Sequence, residues 1–397
     1  MKKTIYAIVL IVMIFMFCGC PDKNKSNQDD KVEVKSKIDK KAAKEFMDNY
    51  LRTVTTGDIN ALDSFYSSNL KSEMKSAVKV LNPHITGYKI EAEVGMEEGS
   101  DESEGGSEKS SGDDGKEDTV EYTVHIFNAY TGFPYSSDDS VLYTIKIENK
   151  KMVIDKKKIT STVDVYSLNN AIYKRSEGKV KGEYVLSIID MPEFAIPQSA
   201  LPLEVKFNVP RDAFGPCVLA PDGSSIAISS IGTNSFAAIV KIEEKGKSSS
   251  EESKAAIGGD EDSGASSLKT SGGGNKETGK TGEESKLNTK LKPVDLYVES
   301  KICNFAFSPD GKTLAVETIP DYGNNKIYLY KAKEQEIINA GIDKQFKPDR
   351  FKVMSPCFLS ENEIEFKVSA VKSATTDELR YNGFWIFNIK TKKFKQL

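Results

Sequence analysis

Five cysteines and two histidines are the side chains of this 397-residue chain best suited to nucleophilic, redox or metal chemistry, and their spacing limits that chemistry. His84 and His125 stand far apart in the sequence. A site built on three histidines is impossible, and a histidine-based catalytic triad is not expected. Cys18 and Cys20 close an apolar N-terminal run, whereas Cys217, Cys303 and Cys357 fall in the C-terminal half. No C-x-x-C pair follows the leader, which removes zinc-ribbon and thioredoxin-type chemistry. The three later cysteines are an odd number, so at least one stays unpaired. Free thiols packed as small hydrophobes and a Cys217–Cys357 disulfide are the two alternatives. No G-x-S-x-G elbow, phosphate loop or H-E-x-x-H helix occurs. The expectation is no catalytic, cofactor-binding or metal-binding residue, no cofactor, and one modified residue, Cys20.

The case for Cys20 comes from what precedes it. Lys2 and Lys3 form a positive start, and Ile5 to Phe17 is an unbroken apolar run. That length suits the core of a signal peptide and falls short of the roughly 20 residues that span a bilayer. It ends in Phe17-Cys18-Gly19-Cys20. Small residues ahead of a cysteine resemble the lipobox of bacterial lipoproteins. The resemblance implies cleavage before a lipid-modified Cys20, and a mature chain held on the extracytoplasmic face of a cell membrane.

The rest divides by composition. Residues 21–37 are polar and charged, as a flexible tether would be. Glu97 to Asp118 is rich in acidic residues, Ser and Gly, and 246–289 in Ser, Gly, Lys, Glu and Thr; both read as disordered inserts. The acidic run lacks the D-x-D-x-D-G spacing of a calcium loop. A net charge of −4 argues against a nucleic-acid partner.

Between tether and first insert, Ala43, Phe46, Met47, Tyr50 and Leu51 recur at helical spacing. Gly57-Asp58 breaks the pattern, and Asp58 can cap a second helix; a third is expected before Asn82-Pro83. The period then becomes two. Strands are predicted at 85–94, 120–130, 141–148 and 151–157, the last two joined at Asn149-Lys150. This order, with Thr56-Gly57-Asp58 and the closing Ile147 to Asp155, resembles the nuclear-transport-factor-two-like (SnoaL-type) family over about residues 38–160. The resemblance implies an α+β cone. Because the helical period is confined to this region, which has its own apolar residues, it is expected to fold separately, with Phe46, Tyr50, Leu62 and Phe65 against Tyr122, Val124, Leu142 and Ile145. An enzyme of that family needs an acid or base inside the cone. Alternation puts His125 and Glu121 on the face opposite Tyr122 and Val124, which argues against that role.

From 164 to 397 a unit recurs. Gly215-Pro-Cys-Val-Leu-Ala-Pro-Asp-Gly223 precedes Ser225 to Ser229; Cys303-Asn-Phe-Ala-Phe-Ser-Pro-Asp-Gly311 precedes Thr313 to Glu317; a degenerate copy starts at Ser355. Pro-Asp-Gly suits a tight turn between strands. The motif resembles the repeat of TolB-type, WD-like β-propellers. That implies an all-β, propeller-like region and no chemistry of its own. Tyr328, Tyr330, Phe384 and Trp385 are either core residues of these strands or part of a recognition surface.

The expected function is a membrane-anchored binding or scaffolding lipoprotein, with the membrane engaged through lipid and an envelope protein or glycan as partner. The alternative is an envelope enzyme with paired carboxylates in a cone or propeller pocket.

Overall fold

The computed structural model describes residues 38–76, 84–93, 119–198, 205–243 and 286–397. The leader with Cys20, the tether, the acidic insert 97–118 and most of 246–289 lie outside the described residues. Ile38–Leu397 forms one compact unit.

Helix α1 (Lys40–Thr56) starts at Asp39, whose carboxylate accepts from the Lys41 N–H at 3.1 Å. It stops at Gly57, which takes φ 71° and donates to the Val54 carbonyl. Asp58 then caps α2 (Ile59–Leu62), accepting from Ala61 N–H at 3.1 Å. A third helix, α3, spans Ser68–Ser76. The α1 stripe Ala43, Met47, Tyr50 and Leu51 is buried. It packs on Tyr122, Val124, Val141, Tyr143 and Ile145 in one hydrophobic cluster. Phe46, Leu62 and Phe65 join this cluster only half-buried. Leu142 does not join it, because Val141 and Tyr143 take the inward positions and alternation turns Leu142 away.

Six antiparallel strands follow the helices: β1 (His84–Glu93), β2 (Thr119–Ala129), β3 (Tyr135–Glu148), β4 (Lys151–Leu168), β5 (Ala171–Arg175) and β6 (Glu183–Ser187). Asn149-Lys150 and Asn169-Asn170 all have positive φ, the geometry of two-residue hairpin turns. A short hairpin, β7 (Phe194–Ala195) and β8 (Phe207–Asn208), leads to the repeats.

The first repeat is a four-stranded meander, β9 (Ala213–Leu219), β10 (Ser225–Ile231), β11 (Ser235–Glu243) and β12 (Asn288–Tyr297). The second is β13 (Ser300–Phe307), β14 (Thr313–Pro320), β15 (Lys326–Lys331) and β16 (Glu336–Ile338). The third is β17 (Phe351–Phe358), β18 (Glu363–Ala370), β19 (Gly383–Asn388) and β20 (Lys393–Gln396). The two Pro-Asp-Gly turns share one geometry. Gly223 and Gly311 both have φ 68°, and Asp222 and Asp310 each accept from the N–H two residues on. The strands after 164 are antiparallel meanders, as the repeat implies, and no sheet closes on itself among the described residues.

Three features differ from the sequence expectations. The predicted insert 246–289 ends early, because Asn288 and Thr289 already pair with Glu243 and Ile242. The expected boundary between 160 and 164 falls inside β4, which runs unbroken from Lys151 to Leu168. The third repeat does not stand alone: β17 pairs in parallel with β1, giving one ten-stranded sheet, β20-β19-β18-β17-β1-β2-β3-β4-β5-β6. Cys357, Leu359 and Ile386 of that repeat belong to the same cluster as the helices. The apolar surface of the N-terminal region is thus completed by residues some 300 positions later, and a separately folding 38–160 does not match this packing.

The join is made at Gly87, opposite Phe358. A Cβ here would lie 3.3 Å from the Phe358 carbonyl oxygen, 3.5 Å from the Phe127 ring and 3.7 Å from the Phe307 carbonyl oxygen. Gly87→Val should therefore destabilise the whole unit by about 1–3 kcal/mol, the usual cost of overpacking. Urea unfolding should show one transition at a lower midpoint; an unchanged midpoint would mean that the β1–β17 contact opens without cost.

Candidate functional site

The repeats and the N-terminal region bury their apolar side chains in four clusters. Of the four-strand run β3–β6, one face packs Val165, Ile172, Val185 and Leu186 against β9–β12. The opposite face carries tyrosines that belong to none of the four clusters. Register puts them in one row: Tyr135 pairs with Tyr166, Tyr166 with Tyr173, and Tyr173 with Tyr184. Tyr130 extends the row, its ring 5.2 Å from that of Tyr135. All five are half-buried.

The row has a defined internal geometry. Tyr166 and Tyr173 are stacked at 5.7 Å with an interplanar angle of 18°, and Tyr184 meets Tyr173 edge-on at 5.9 Å. Tyr166 lies flat across β5 because Gly182 makes room. A Cβ at Gly182 would lie 2.6 Å from the Tyr166 hydroxyl and 2.9 Å from the Tyr173 Cβ. Cations sit over two of the rings, Arg175 at 5.7 Å from Tyr166 in the middle of the row and Lys286 at 5.3 Å from Tyr184 at one end. Tyr135 donates to Asp164 at 3.3 Å and Tyr184 to Asp190 at 3.3 Å. Burial, with Asp164 nearby, pushes the Tyr135 hydroxyl up to about 12. Arg175 grips the buried Asp164 through two nitrogens, and that pairing raises the guanidinium further. Beside this pair is an open cavity of about 440 Å³ lined by Ile159–Thr162, Asp164 and Arg175–Lys179. Hydroxyls, both signs of charge and flat aromatic faces therefore meet on one side of one sheet.

Two other concavities have different character. One, about 310 Å³, reaches Asp295 under the β7–β8 hairpin. This buried carboxylate accepts from the backbone N–H of Gln198 and Leu296 and from the Tyr330 hydroxyl, and Tyr297 donates to Tyr330 in turn. With its acceptors filled in this way, Asp295 acts as a strut between β12 and β15. The other, about 570 Å³, lies where Lys44, Asp48 and Arg52 of α1 face Tyr88 and the β17–β18 turn. Burial raises the Asp48 carboxyl, and Arg52 and Lys44 offset part of that.

The residues singled out in the sequence are scattered. His84 bonds the Pro356 carbonyl at 3.2 Å beside the β1–β17 join. His125 bridges Asp138 at 2.9 Å and Glu91 at 3.0 Å on the sheet face away from the helices, and these partners raise its pKa. Glu121 accepts from Thr144 at 3.0 Å. The space between helices and sheet is filled by Met47, Tyr50, Tyr143 and Ile145, each at most 1% exposed. Cys217, Cys303 and Cys357 are all free, so the Cys217–Cys357 bridge is not formed; the two thiols lie in different clusters. Tyr330 and Trp385 are buried and Tyr328 and Phe384 half-buried, in line with core packing. No group of His, Cys, Asp and Glu suited to a metal occurs among the described residues. The tyrosine row was missed. Part of it was available, since Tyr166 and Tyr173 are equidistant from the Asn169-Asn170 turn.

No family model and no curated protein matches this chain. Solved structures that resemble it include TolB from Acinetobacter baumannii, 11% identical over 69% of this chain and 58% of that one, with a TM-score of 0.27. A puromycin hydrolase mutant is 10% identical over 70% of this chain and 52% of its own, with a TM-score of 0.22. The chain thus spans between half and three-fifths of the length of each.

Two predictions follow from this geometry. Gly182→Ala should displace Tyr166 from Tyr173, changing the near-ultraviolet circular dichroism of the tyrosines and costing about 1–3 kcal/mol. An unaltered spectrum would mean that Tyr166 does not lie across β5. The second concerns Glu365, 2% exposed beneath α1, whose Oε1 accepts from Thr55 at 3.3 Å while Oε2 has no partner. Burial raises its carboxyl to about 7, against smaller opposing effects of Thr55 and Arg52. The folded state then holds this proton more tightly than the unfolded chain. Its contribution is complete below about pH 4.5 and is lost as pH rises through about 7, on the order of 3 kcal/mol. Glu365→Gln should flatten this part of the stability–pH curve; equal slopes in both proteins would rule it out.

Proposed function

We propose that this chain is an extracytoplasmic lipoprotein, anchored through lipid on Cys20, that works as a binding or scaffolding module and recognises its partner with the tyrosine face of β3–β6. The observation that carries this reading is the row itself: four half-buried tyrosines aligned by register, with Tyr130 beside them, none of which belongs to a hydrophobic cluster. Tyrosine suits recognition because it offers a large, stiff contact area with a polar tip. The helices packed on β1–β4 support a nuclear-transport-factor-two-like ancestry for the N-terminal region. The shared Pro-Asp-Gly turns and four-strand meanders support a TolB-type propeller relationship for the rest. No described helix is long and apolar enough to cross a membrane, and anchorage in this reading rests on the leader and Cys20.

Mass spectrometry of membrane-extracted protein should give a mature N-terminus at Cys20 carrying acyl groups, and Cys20→Ala should abolish that species. A mature chain that starts elsewhere would overturn the anchor. Capture from envelope extracts by the wild-type chain should be lost in a Tyr166→Ala/Tyr173→Ala variant of unchanged fold. Equal capture by both would move recognition to another surface.

A further inference from the structure

We infer that four lysines at the seam between the first and second repeats form a binding site for a polyvalent phosphate anion, either soluble or carried on a lipid headgroup. The site does not involve the tyrosine row and does not depend on the reading of that face.

Register brings the four together. Lys241 of β11 stands directly opposite Lys290 of β12, and Lys292 follows two residues on, across from Ile239. All three share the face that carries Ile239, which packs in one cluster with Phe305, Leu314 and Ala332 of the second repeat. The fourth, Lys333, comes from the β15–β16 turn, and its carbonyl accepts from the Lys292 ammonium at 3.5 Å. Gln335 fixes that turn: at φ 60°, its side-chain amide donates to the Ala332 and Lys333 carbonyls at 2.6 and 2.7 Å. Lys241 and Lys292 are half-buried, whereas Lys290 and Lys333 are exposed. The ammonium groups of Lys241 and Lys292 come within hydrogen-bond reach of each other.

This arrangement holds charge that the fold leaves uncompensated. Like charges directly opposite in a sheet oppose its pairing. Neighbouring lysines have carboxylates, Lys331 with Glu336 at 2.8 Å and Lys312 with Asp310 at 3.0 Å. Among the described residues none of the four has one. Glu243, two residues from Lys241, is engaged by the Asn288 amide. Burial lowers the pKa of Lys241, and Lys292, Lys333 and Lys290 lower it further. An anion seated among the ammonium groups would offset this repulsion.

The donors select the class of anion. An ammonium is a compact point charge with donors only, so it suits a tetrahedral oxyanion and gains nothing from a planar one. A carboxylate brings two oxygens and a single charge to four ammonium groups. A phosphoryl group brings about two charges and three strong acceptor oxygens, and two joined phosphoryl groups can meet lysines from both repeats. Because only four charges are gathered here, in a chain of net charge −4, the site suits a compact anion and falls short of the extended basic face that a nucleic acid needs.

The test is calorimetric titration of full-length protein, in micelles of an uncharged detergent, with inorganic pyrophosphate at low salt. Binding is expected with a dissociation constant on the order of 0.1 mM, and it should weaken as sodium chloride is raised. Lys241→Gln and Lys292→Gln should each weaken it by at least about fivefold, or about 1 kcal/mol. Lys290→Glu should abolish binding and, without pyrophosphate, raise the thermal midpoint, because a repelling cross-strand pair becomes an attracting one. Lys372→Gln, at an exposed site between β18 and β19, should leave binding unchanged. Phosphatidylglycerol mixed into the micelles separates the two sources. If it displaces pyrophosphate, the site takes a lipid headgroup; if pyrophosphate binding persists, the site takes a soluble phosphate. No pyrophosphate binding at low salt, or equal binding by wild type and the three variants of the cluster, would overturn the proposal. A midpoint lowered by Lys290→Glu would overturn it too, since the lysines would then not oppose one another.

Discussion

The contact between β1 and β17 at Gly87 sets the form of this molecule. It is a parallel contact at a single registered pair, Gly87 with Phe358, so its own hydrogen-bond energy is small. Its effect comes from what it forces. Once β1 lies beside β17, the strands after the helices and the last repeat become one sheet, and α1 covers residues from both ends of the chain. The helices cannot complete their core without Cys357, Leu359 and Ile386. Glycine lets the strands approach closely here, because a Cβ would press on the Phe358 carbonyl oxygen at 3.3 Å with the Phe127 ring and the Phe307 carbonyl also in contact.

This join also explains why the tyrosine face has no partner repeat. Each neighbouring pair of four-strand units shares a cluster: β3–β6 with β9–β12, then β9–β12 with β13–β16, then β13–β16 with β17–β20. The last unit turns its remaining apolar side chains to the helices, β1 and β2. In a simple ring of repeats those side chains would face the first unit instead. With the helical region taking that place, the side of β3–β6 away from β9–β12 packs on the helices at Val141, Tyr143, Ile145 and Ile154 and continues beyond them as Tyr135, Tyr166, Tyr173 and Tyr184. Tyrosine is physically apt there: a half-buried aromatic with a polar tip tolerates water on one side better than Leu or Ile does.

Legibility in the sequence followed the range of the interaction. The helix stripe, the caps at Asp58 and Gly57, the Asn149-Lys150 turn and both Pro-Asp-Gly turns depend on neighbours within a few residues, and each was readable. The β1–β17 pairing joins residues 271 positions apart, Gly87 and Phe358, and no local period encodes it. The error at Leu142 has a different root, since local alternation already separates it from Ile145. Alternation predicts that Val141 and Tyr143 share one face and Leu142 the other, so hydrophobicity alone was a poor guide to which face was inward. The site was harder still. The notable tyrosines of the repeat, Tyr328 and Tyr330, pack in the core, and Tyr330 binds a buried carboxylate. The surface row consists of residues from four strands and one turn that are unremarkable one by one. Only register brings them together.

Glu365, His125 and Asp164 show how the fold constrains its ionisable groups. An acid–base pair needs two groups held across a reacting atom, at least one with its proton affinity tuned by its surroundings. Glu365, whose carboxyl burial raises to about 7, lies 2% exposed beneath α1. His125 is exposed enough to react, but both ring nitrogens are already engaged by Asp138 and Glu91, which favour the doubly protonated form. A ring held that way has no free nitrogen to act as a base. Asp164 is buried beside the cavity, and two nitrogens of Arg175 and a phenol occupy it. Burial or existing partners hold each of these three groups among the described residues. These three groups therefore serve the packing and pairing of the strands and helix that carry them.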